Sequence, residues 1–183
     1  MVAMGGHWHA SAMSNYRRVW VPGGTYFFTV NLLDRRQSLL VDHVANLRRA
    51  FAAVRPFAAI AAAVMPDHLH CIWRLPTADA DNAMRWRHIK TLFSQSLPLN
   101  EVRSASRAGR SERGIWQRRY WEQLLRDERD LQAHVDYIHF NPVKHGYVTR
   151  AANWPHSSFH RYVREGLLSA DWASDATVTV GKS

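Results

Sequence analysis

The chain has 183 residues, which is enough for one domain with a hydrophobic core and too few for two ordinary domains. Hydrophobic residues make up 46% and charged residues 21%, which excludes a disordered protein, and the longest apolar run, residues 57–65, is too short to span a membrane. The formal net charge of +9 favours a polyanionic partner such as nucleic acid. However, 21 of the 24 cations are arginines, as a GC-rich gene would also produce.

Cysteine content and the N-terminal residues indicate the cellular compartment. Cys71 is the single cysteine, which excludes an internal disulfide framework and a multi-cysteine zinc site. The first residues lack a basic region followed by an apolar stretch, so we expect no secretory signal. Both features favour a reducing, cytoplasmic setting.

Hydrophobic periodicity and turn residues divide the chain into predicted elements. Residues 1–12 show no periodicity and are predicted to be an extension, residues 13–165 to form a single domain, and residues 166–183 to form a short tail. The predicted elements are a strand at 25–32, a helix at 42–54, a hairpin of strands 58–65 and 68–75, a helix at 82–97, a loop at 100–114 and a helix at 127–140. Asp127 is the predicted N-cap of the last helix, and Pro142 is predicted to end it.

Positive charge is concentrated in two segments. Residues 82–126 contain ten cations and three anions, a net charge of +7, and residues 13–57 contain seven and two, a net charge of +5. Residues 58–81 carry −2 and residues 127–183 carry −1. We therefore expect the hairpin and the last helix to lie between two basic segments, as a reaction centre lies inside a binding groove. Solvated arginine-rich faces are the alternative interpretation.

The sequence His68-Leu69-His70 is the first candidate for chemistry. Side chains alternate in direction along a strand, so His68 and His70 point to one face, while Leu69, Cys71 and Trp73 point to the other. Two imidazoles on one face of a strand can chelate a divalent ion, provided that a third ligand comes from elsewhere. Taken alone, however, a His-x-His sequence is more often structural.

The last predicted helix is the second candidate. At 100° per residue, Asn141 lies about 40° from Tyr137 around the helix axis, beside an apolar stripe of Leu131, Val135 and Ile138. Packing through that stripe would present Tyr137 and Asn141 together at the edge of the core. An amphipathic helix with an interfacial tyrosine would have the same pattern.

Together these two features favour phosphoryl-transfer chemistry. A divalent ion can polarise a phosphoryl oxygen, and a tyrosine hydroxyl beside it can attack phosphorus to form a covalent phosphotyrosine. The ordinary pKa of tyrosine is about 10, so the phenol needs a nearby cation to ionise at neutral pH. Asn141, one turn after Tyr137, can supply an amide oxygen as the third metal ligand beside His68 and His70.

These residues resemble a known family. His68-Leu69-His70 is similar to the His-hydrophobe-His (HUH) motif of single-strand DNA endonucleases. Residues 136–146 (DYIHFNPVKHG) resemble the nucleophile helix of REP-associated tyrosine transposases, where REP denotes a repetitive extragenic palindrome. Five more segments resemble this family, namely SNYRR at 14–18, PGGTYFFTVNL at 22–32, MPDHLHCIWRLP at 65–76, GIWQRRYWE at 114–122 and WPHSSFHR at 154–161. The HUH motif alone is a loose pattern, but this ordered set is specific.

The resemblance implies a fold and a partner. The implied fold is an α+β domain of ferredoxin-like or RNA-recognition-motif type, an antiparallel sheet with helices on one face. The implied substrates are REP elements, which form single-strand hairpins with a short conserved tetranucleotide at the foot. The chain would be a monomer or a weak homodimer, without a membrane partner.

The resemblance also implies roles for individual residues. The family's two histidines correspond to His68 and His70, its nucleophile to Tyr137, and its cofactor would be Mg²⁺ or Mn²⁺. Cleavage would leave a 5′-phosphotyrosine and a free 3′-hydroxyl. Broader relatives place a glutamine metal ligand four residues after the nucleophile, where this chain has Asn141, so metal ligation by Asn141 is an expectation. Because position 141 is not tyrosine, a two-tyrosine relaxase is disfavoured.

Other tyrosines and two non-enzymatic functions are the alternatives. Tyr120 is the strongest rival nucleophile because it follows Arg118 and Arg119, but its segment is loop-like and lacks an amide or acid four residues later. A hairpin-binding protein or repressor without catalysis would need no HUH pair together with Tyr137. An RNA binder of the RNA-recognition type is the second alternative.

Basic and aromatic residues in the two basic segments, together with Lys144 just after the last predicted helix, are suited to DNA. Arginine and lysine neutralise phosphates, and exposed aromatic rings stack on unpaired bases. We predict DNA contacts from Arg17, Arg18, Arg85, Arg87, Lys90, Trp116, Arg118, Arg119 and Lys144.

Overall fold

The computed structural model describes residues 20–99 and 113–173. Its elements, numbered in chain order, are β1 (Thr25–Asn31), α1 (Leu39–Asp42), α2 (Val44–Ala53), β2 (Ala58–Val64), β3 (His68–Arg74), α3 (Asn82–Gln95), β4 (Trp121–Leu124), α4 (Glu128–Lys144), a 3-10 turn (Ala151–Asn153) and α5 (Phe159–Arg164). The strands form one antiparallel sheet in the order β2-β3-β1-β4, which confirms the predicted α+β class. None of the helices within these ranges is both long and apolar enough to cross a bilayer. The predicted extension at 1–12 lies outside the described residues.

One face of the sheet carries the larger hydrophobic core. Leu69, Cys71 and Trp73 of β3 point to this face, as their alternation predicts, and pack with α2 and α3. The Trp73 ring stacks on Trp86 of α3 with 4.8 Å between centroids. This face is closed by apolar packing, so the hairpin presents its polar residues on the opposite face.

Helix α4 packs against that opposite face. Val135 and Ile138 of α4 join Phe27 of β1 and Ile72 of β3 in a second, smaller cluster. The expectation of helices on one face is therefore wrong. The physical reason is that β3 is buried on both faces from His68 to Trp73, so each face requires a covering layer.

Two local predictions also need correction. Strand β4 lies in the segment interpreted as loop-like around Tyr120; it has only four residues and depends on pairing with β1, a tertiary contact that local pattern does not reveal. Pro142 does not end α4, which continues to Lys144. A proline this close to the helix end removes few backbone hydrogen bonds, and Gly146, with φ +73°, turns the chain immediately after the helix. The predicted N-cap is confirmed, since the Asp127 side chain accepts from the Asp130 amide at 2.8 Å.

The outer edge of β2 is covered by residues 154–158. The amide of Val64 donates to the His156 carbonyl at 2.9 Å, and the amide of Ser158 donates to the Ala62 carbonyl at 2.8 Å. The Trp154 indole donates to the Val64 carbonyl at 3.0 Å. These hydrogen bonds hold the segment that follows α4 beside the end of β2 that lies nearest His68 and His70, which we call the HUH pair.

Candidate active site

The two histidines lie side by side on the α4 face of β3. Their ring centroids are 5.1 Å apart, and each residue is only 4% exposed. Burial lowers the pKa of His68 below its ordinary value and lowers the pKa of His70 further. Both imidazoles are therefore neutral at neutral pH, the form in which a ring nitrogen can bind a metal ion.

Helix α4 brings Tyr137 to this pair. The Tyr137 ring lies edge-on to His70, 5.2 Å between centroids, and 6.0 Å from Phe27. Burial raises the pKa of the Tyr137 phenol, and the nearby amide of Asn141 offsets part of that rise. The ammonium of Lys144, one residue before the helix C-cap, lies 5.0 Å from the centre of the Tyr137 ring.

Asn141 is buried without the hydrogen bonds that a buried amide needs. It is 0% exposed, and among residues 20–99 and 113–173 neither its Oδ1 nor its Nδ2 has a partner at ordinary hydrogen-bond geometry. It nevertheless lies close enough to His68 and Tyr137 to affect the pKa of each. An unsatisfied buried amide lowers the stability of a protein by about 1–3 kcal/mol. A bound ligand that pairs with the Asn141 amide would recover that free energy.

This donor set fits a divalent cation. In the described part of the chain, no three His, Cys, Asp or Glu side chains group as metal ligands. Two neutral imidazoles from His68 and His70 and the free amide oxygen of Asn141 form a mixed nitrogen and oxygen set, which suits Mn²⁺ or Mg²⁺ completed by water or phosphate oxygens.

The orientation of His68 is fixed by a buried carboxylate. Nδ1 of His68 donates to Oδ1 of Asp67 at 2.7 Å, and the Nε of Arg35 donates to Oδ2 of the same carboxylate. Burial raises the pKa of Asp67, but the hydrogen bonds from His68 and Arg35 outweigh it and hold that pKa below its ordinary value. Asp67 is therefore an anion that selects the Nδ1–H tautomer and leaves Nε2 of His68 available for a ligand.

The second imidazole is held in the same way from the neighbouring strand. Thr29 of β1 lies directly opposite His70 in the sheet, and its hydroxyl is 2.8 Å from Nδ1 of that ring. Asn31 lies opposite His68 and accepts a hydrogen bond from Arg35 at 3.0 Å. Both Nδ1 atoms are thus engaged by the protein, and both rings offer Nε2 to the site.

Comparison with known proteins identifies the family of this site. The chain is 46% identical to the REP-associated tyrosine transposase of Escherichia coli (strain K12) over 168 residues, which covers 90% of this chain and 94% of that protein. It is 44% identical over 173 residues to a Haemophilus influenzae protein of the same family name, covering 92% and 98%. This chain belongs to the REP-associated tyrosine transposases. No protein-family model matches the chain.

A solved transposase structure supports the same assignment. It holds the REP-associated tyrosine transposase bound to a REP hairpin, is 44% identical in sequence, and superposes with a TM-score of 0.76 over 93% of this chain and 98% of that one. The likeness therefore extends over most of the chain.

The structure separates the rival tyrosine from the histidines. Tyr120 packs with Phe28 and Trp86, at centroid distances of 6.0 and 5.7 Å, in the core that includes α2 and α3. That core lies on the opposite face of the sheet from His68 and His70. In this transposase Tyr137 lies beside the HUH pair, and Tyr120 does not.

The predicted DNA-binding residues divide into four groups. Arg85 is 2% exposed and pairs with Asp79, and Trp116 is 7% exposed and packs on Phe93. Both side chains are therefore part of the folded interior and are not exposed DNA contacts. Lys90 is half-buried and donates to the Gln117 carbonyl at 2.9 Å. The exposed members are Arg87, Arg118, Arg119 and Lys144. Arg17 and Arg18 lie outside the described residues.

Sequence reasoning missed four residues around the histidines: Asp67, Arg35, Thr29 and His145. Asp67 directly precedes His68, and the antiparallel register of β1 with β3 would have identified Thr29. His145 follows Asn141 by four residues, on the same side of α4, and its ring is 5.2 Å from His68. Arg35 lies 33 residues from His68 and has no signal in the local pattern.

Proposed function

We propose that this transposase is a single-strand DNA endonuclease and strand transferase that acts on REP hairpins through a covalent tyrosine intermediate. The observation that carries the proposal is the Tyr137 ring 5.2 Å from His70, on the sheet face that also holds His68 and the unsatisfied amide of Asn141. The hairpin substrate is taken from the solved relative, which is bound to a REP hairpin. Activity on chromosomal DNA would place the protein in the cytoplasm.

Tyr137 supplies the nucleophile. Its phenol loses a proton, its oxygen bonds to the scissile phosphorus, and the bond between phosphorus and the 3′ oxygen breaks. The products are a 5′-phosphotyrosine on one DNA end and a 3′-hydroxyl, which takes up a proton, on the other. Attack on the phosphotyrosine by a 3′-hydroxyl runs the same exchange backwards, so the strand is resealed or transferred without an external energy source.

The surrounding residues hold the reacting groups. His68, His70 and Asn141 would bind Mg²⁺ or Mn²⁺, which when bound supplies Lewis-acid polarisation of a phosphoryl oxygen. Asp67 and Thr29 hold the two imidazoles in one orientation through Nδ1. Packing of α4 fixes Tyr137 relative to them, which is the positioning that an in-line displacement requires.

Covalent trapping tests the assignment of the nucleophile. The full chain is incubated with Mn²⁺ and a labelled single-strand REP hairpin that carries the flanking cleavage site, and adducts are separated under denaturing conditions. Wild type is expected to form a covalent adduct, and Tyr137→Phe to form none while still shifting the hairpin. The matched control is Tyr120→Phe, which removes the rival hydroxyl and should retain the adduct.

Three results would contradict the proposal. An adduct in Tyr137→Phe would show that another residue is the nucleophile. Wild-type protein that shifts the hairpin but never cuts it, with either Mg²⁺ or Mn²⁺, would favour the non-catalytic binder. Preference for the RNA version of the same hairpin in competition would favour the RNA binder.

A further inference from the structure

A line of rings leads from His68 to Trp154, and the chemistry above does not use it. The ring of His145 is 5.2 Å from His68, that of Tyr147 is 6.1 Å from His145, and that of Trp154 is 5.3 Å from Tyr147 at an interplanar angle of 27°. We call His145, Tyr147 and Trp154 the ring line. It starts at the candidate metal ligands, so it is continuous with the place where the scissile phosphate must lie.

The backbone fixes this arrangement at both ends. Gly146, at φ +73°, turns the chain after α4, and the Tyr147 amide donates to the Pro142 carbonyl at 3.0 Å. The Trp154 indole donates to the Val64 carbonyl at the end of β2. The rings are therefore held in place before any ligand binds, which lowers the entropic cost of binding one.

The ring line also faces solvent. Tyr147 is 42% exposed, His145 is exposed, and Trp154 is partly buried beneath them. Core packing explains why Trp154 is anchored to β2, but it does not explain an exposed tyrosine ring stacked on that tryptophan. An exposed ring mounted on an anchored one is the arrangement of a stacking platform.

Exposed cations lie close to Tyr147 along the chain. Lys144 precedes it by three residues, Arg150 follows it by three, and both are exposed. Aromatic rings that stack on bases, combined with cations that neutralise phosphates, are the features of single-strand nucleic-acid grooves. A duplex does not present its base faces, so the chemistry selects an unpaired nucleotide.

We propose that the ring line, with Tyr147 at its centre, is a stacking platform for the unpaired nucleotides next to the scissile phosphate. The inference rests on the proposed function, because that function places the phosphate between Tyr137 and the HUH pair. It adds a binding surface for the strand that enters or leaves this site.

Binding measurements with two DNAs test the platform. One is the REP hairpin alone, and the other is the same hairpin with a single-strand extension that carries the cleavage site. Affinities are measured by fluorescence anisotropy in EDTA, which prevents cleavage. Wild type is expected to bind the extended DNA more tightly than the hairpin alone, and this gain is the ratio of the two affinities. Tyr147→Ala should reduce the affinity for the extended DNA by about 5- to 150-fold, which corresponds to the loss of one base stack. Its affinity for the hairpin alone should stay within about twofold, because the paired bases offer no face to Tyr147.

Matched variants separate stacking from other causes. Tyr147→Phe keeps the ring and should keep the gain, and His145→Ala, a second exposed position on the line, should lose part of it. Trp121→Ala removes an exposed indole from β4, at the opposite edge of the sheet from β2, and should leave the gain unchanged. Equal losses in Trp121→Ala and Tyr147→Ala, or in Tyr147→Phe and Tyr147→Ala, would overturn the platform.

The two proposals fail in different ways. Wild-type protein that binds neither DNA would overturn the proposed function itself. Wild-type protein that binds both DNAs equally, or a Tyr147→Ala variant that retains the full gain, would overturn the platform alone.

Discussion

The hydrogen bond between Asp67 and His68 allows a quantitative test of the proposed metal site. Replacing Asp67 by asparagine keeps the shape of the side chain and an oxygen that can accept from Nδ1 of His68, but it removes the negative charge. Asp67 is buried with His68, so the lost charge is poorly replaced by water. The imidazole becomes a weaker donor, and its preferred tautomer is less strongly selected.

The size of the effect follows from this geometry. A hydrogen bond to a charged partner contributes about 1.5–3 kcal/mol, and this one is 2.7 Å long and shielded from solvent. Loss of an outer partner of a metal-binding histidine typically weakens metal affinity about 10- to 100-fold. We expect Asp67→Asn to weaken Mn²⁺ affinity by a factor within that range. Asp67→Ala, which also loses the acceptor, should weaken it by a factor at the upper end.

Calorimetric titration of Mn²⁺ into the DNA-free protein measures this affinity directly. The matched control is Asp34→Asn, which makes the same change at a partly exposed carboxylate that pairs with Arg36, and which should leave Mn²⁺ affinity unchanged. Hairpin binding in EDTA should be equal in wild type and in all three variants. Wild-type affinity for Mn²⁺ in Asp67→Asn would refute the reasoning, as would an equal loss in Asp34→Asn.

Three further outcomes are expected. Asp79→Asn should lower the free energy of unfolding, measured in urea, by about 2 kcal/mol, because it leaves the buried guanidinium of Arg85 without its carboxylate. Breaking a fully buried ion pair costs ~3–5 kcal/mol, and the loss is smaller here because Asp79 is partly exposed. The Arg85 hydrogen bond holds the pKa of Asp79 below its ordinary value, so this contribution is present above about pH 4 and disappears as the pH falls through the native pKa, where wild type and variant should converge. Gly24→Ala should cost about 1–3 kcal/mol in the same assay, since a Cβ there would lie 2.7 Å from the Tyr26 ring and 2.9 Å from a backbone oxygen. Finally, a cleavage-site oligonucleotide should tighten Mn²⁺ binding to Tyr137→Phe, and Mn²⁺ should tighten oligonucleotide binding by the same factor; a factor of one would exclude a shared site.

Local pattern predicted the elements that have strong periodicity. The alternation in His68–Arg74 and the helical spacing around Tyr137 are properties of single segments, and both elements form, although α4 extends four residues beyond its predicted end. Strand β4 was not predicted, because its four residues form a strand only through pairing with β1. The sequence pattern did not predict helices on both faces of the sheet for a related reason, since burial of β3 on both sides is a property of the assembled sheet.

The geometry of the candidate site was predictable to a similar depth. His68, His70, Tyr137 and Asn141 carry the proposed reactive groups, and two spacings, i+2 on a strand and i+4 on a helix, place them pairwise together. That β3 and α4 meet is a tertiary fact, which the family resemblance supplied and periodicity did not. Burial of Arg85 was invisible because an arginine on a helix gives no sign that an aspartate six residues earlier will pair with it inside the fold.

The distribution of charge fits the reaction proposed above. The donors of the proposed metal site would be two neutral imidazoles and an amide, and the buried carboxylate of Asp67 is turned towards His68 and Arg35. A divalent ion held by neutral donors keeps most of its charge, so it would attract the phosphate strongly. Arg35 and Lys144 lie beside this site, where Asp67 offsets the charge of Arg35. Exposed arginines such as Arg87, Arg118 and Arg119 lie on the basic segment 82–126, where we propose that they attract DNA. On this proposal, most of the charge that recruits DNA lies on a different segment from the groups that would activate its phosphate.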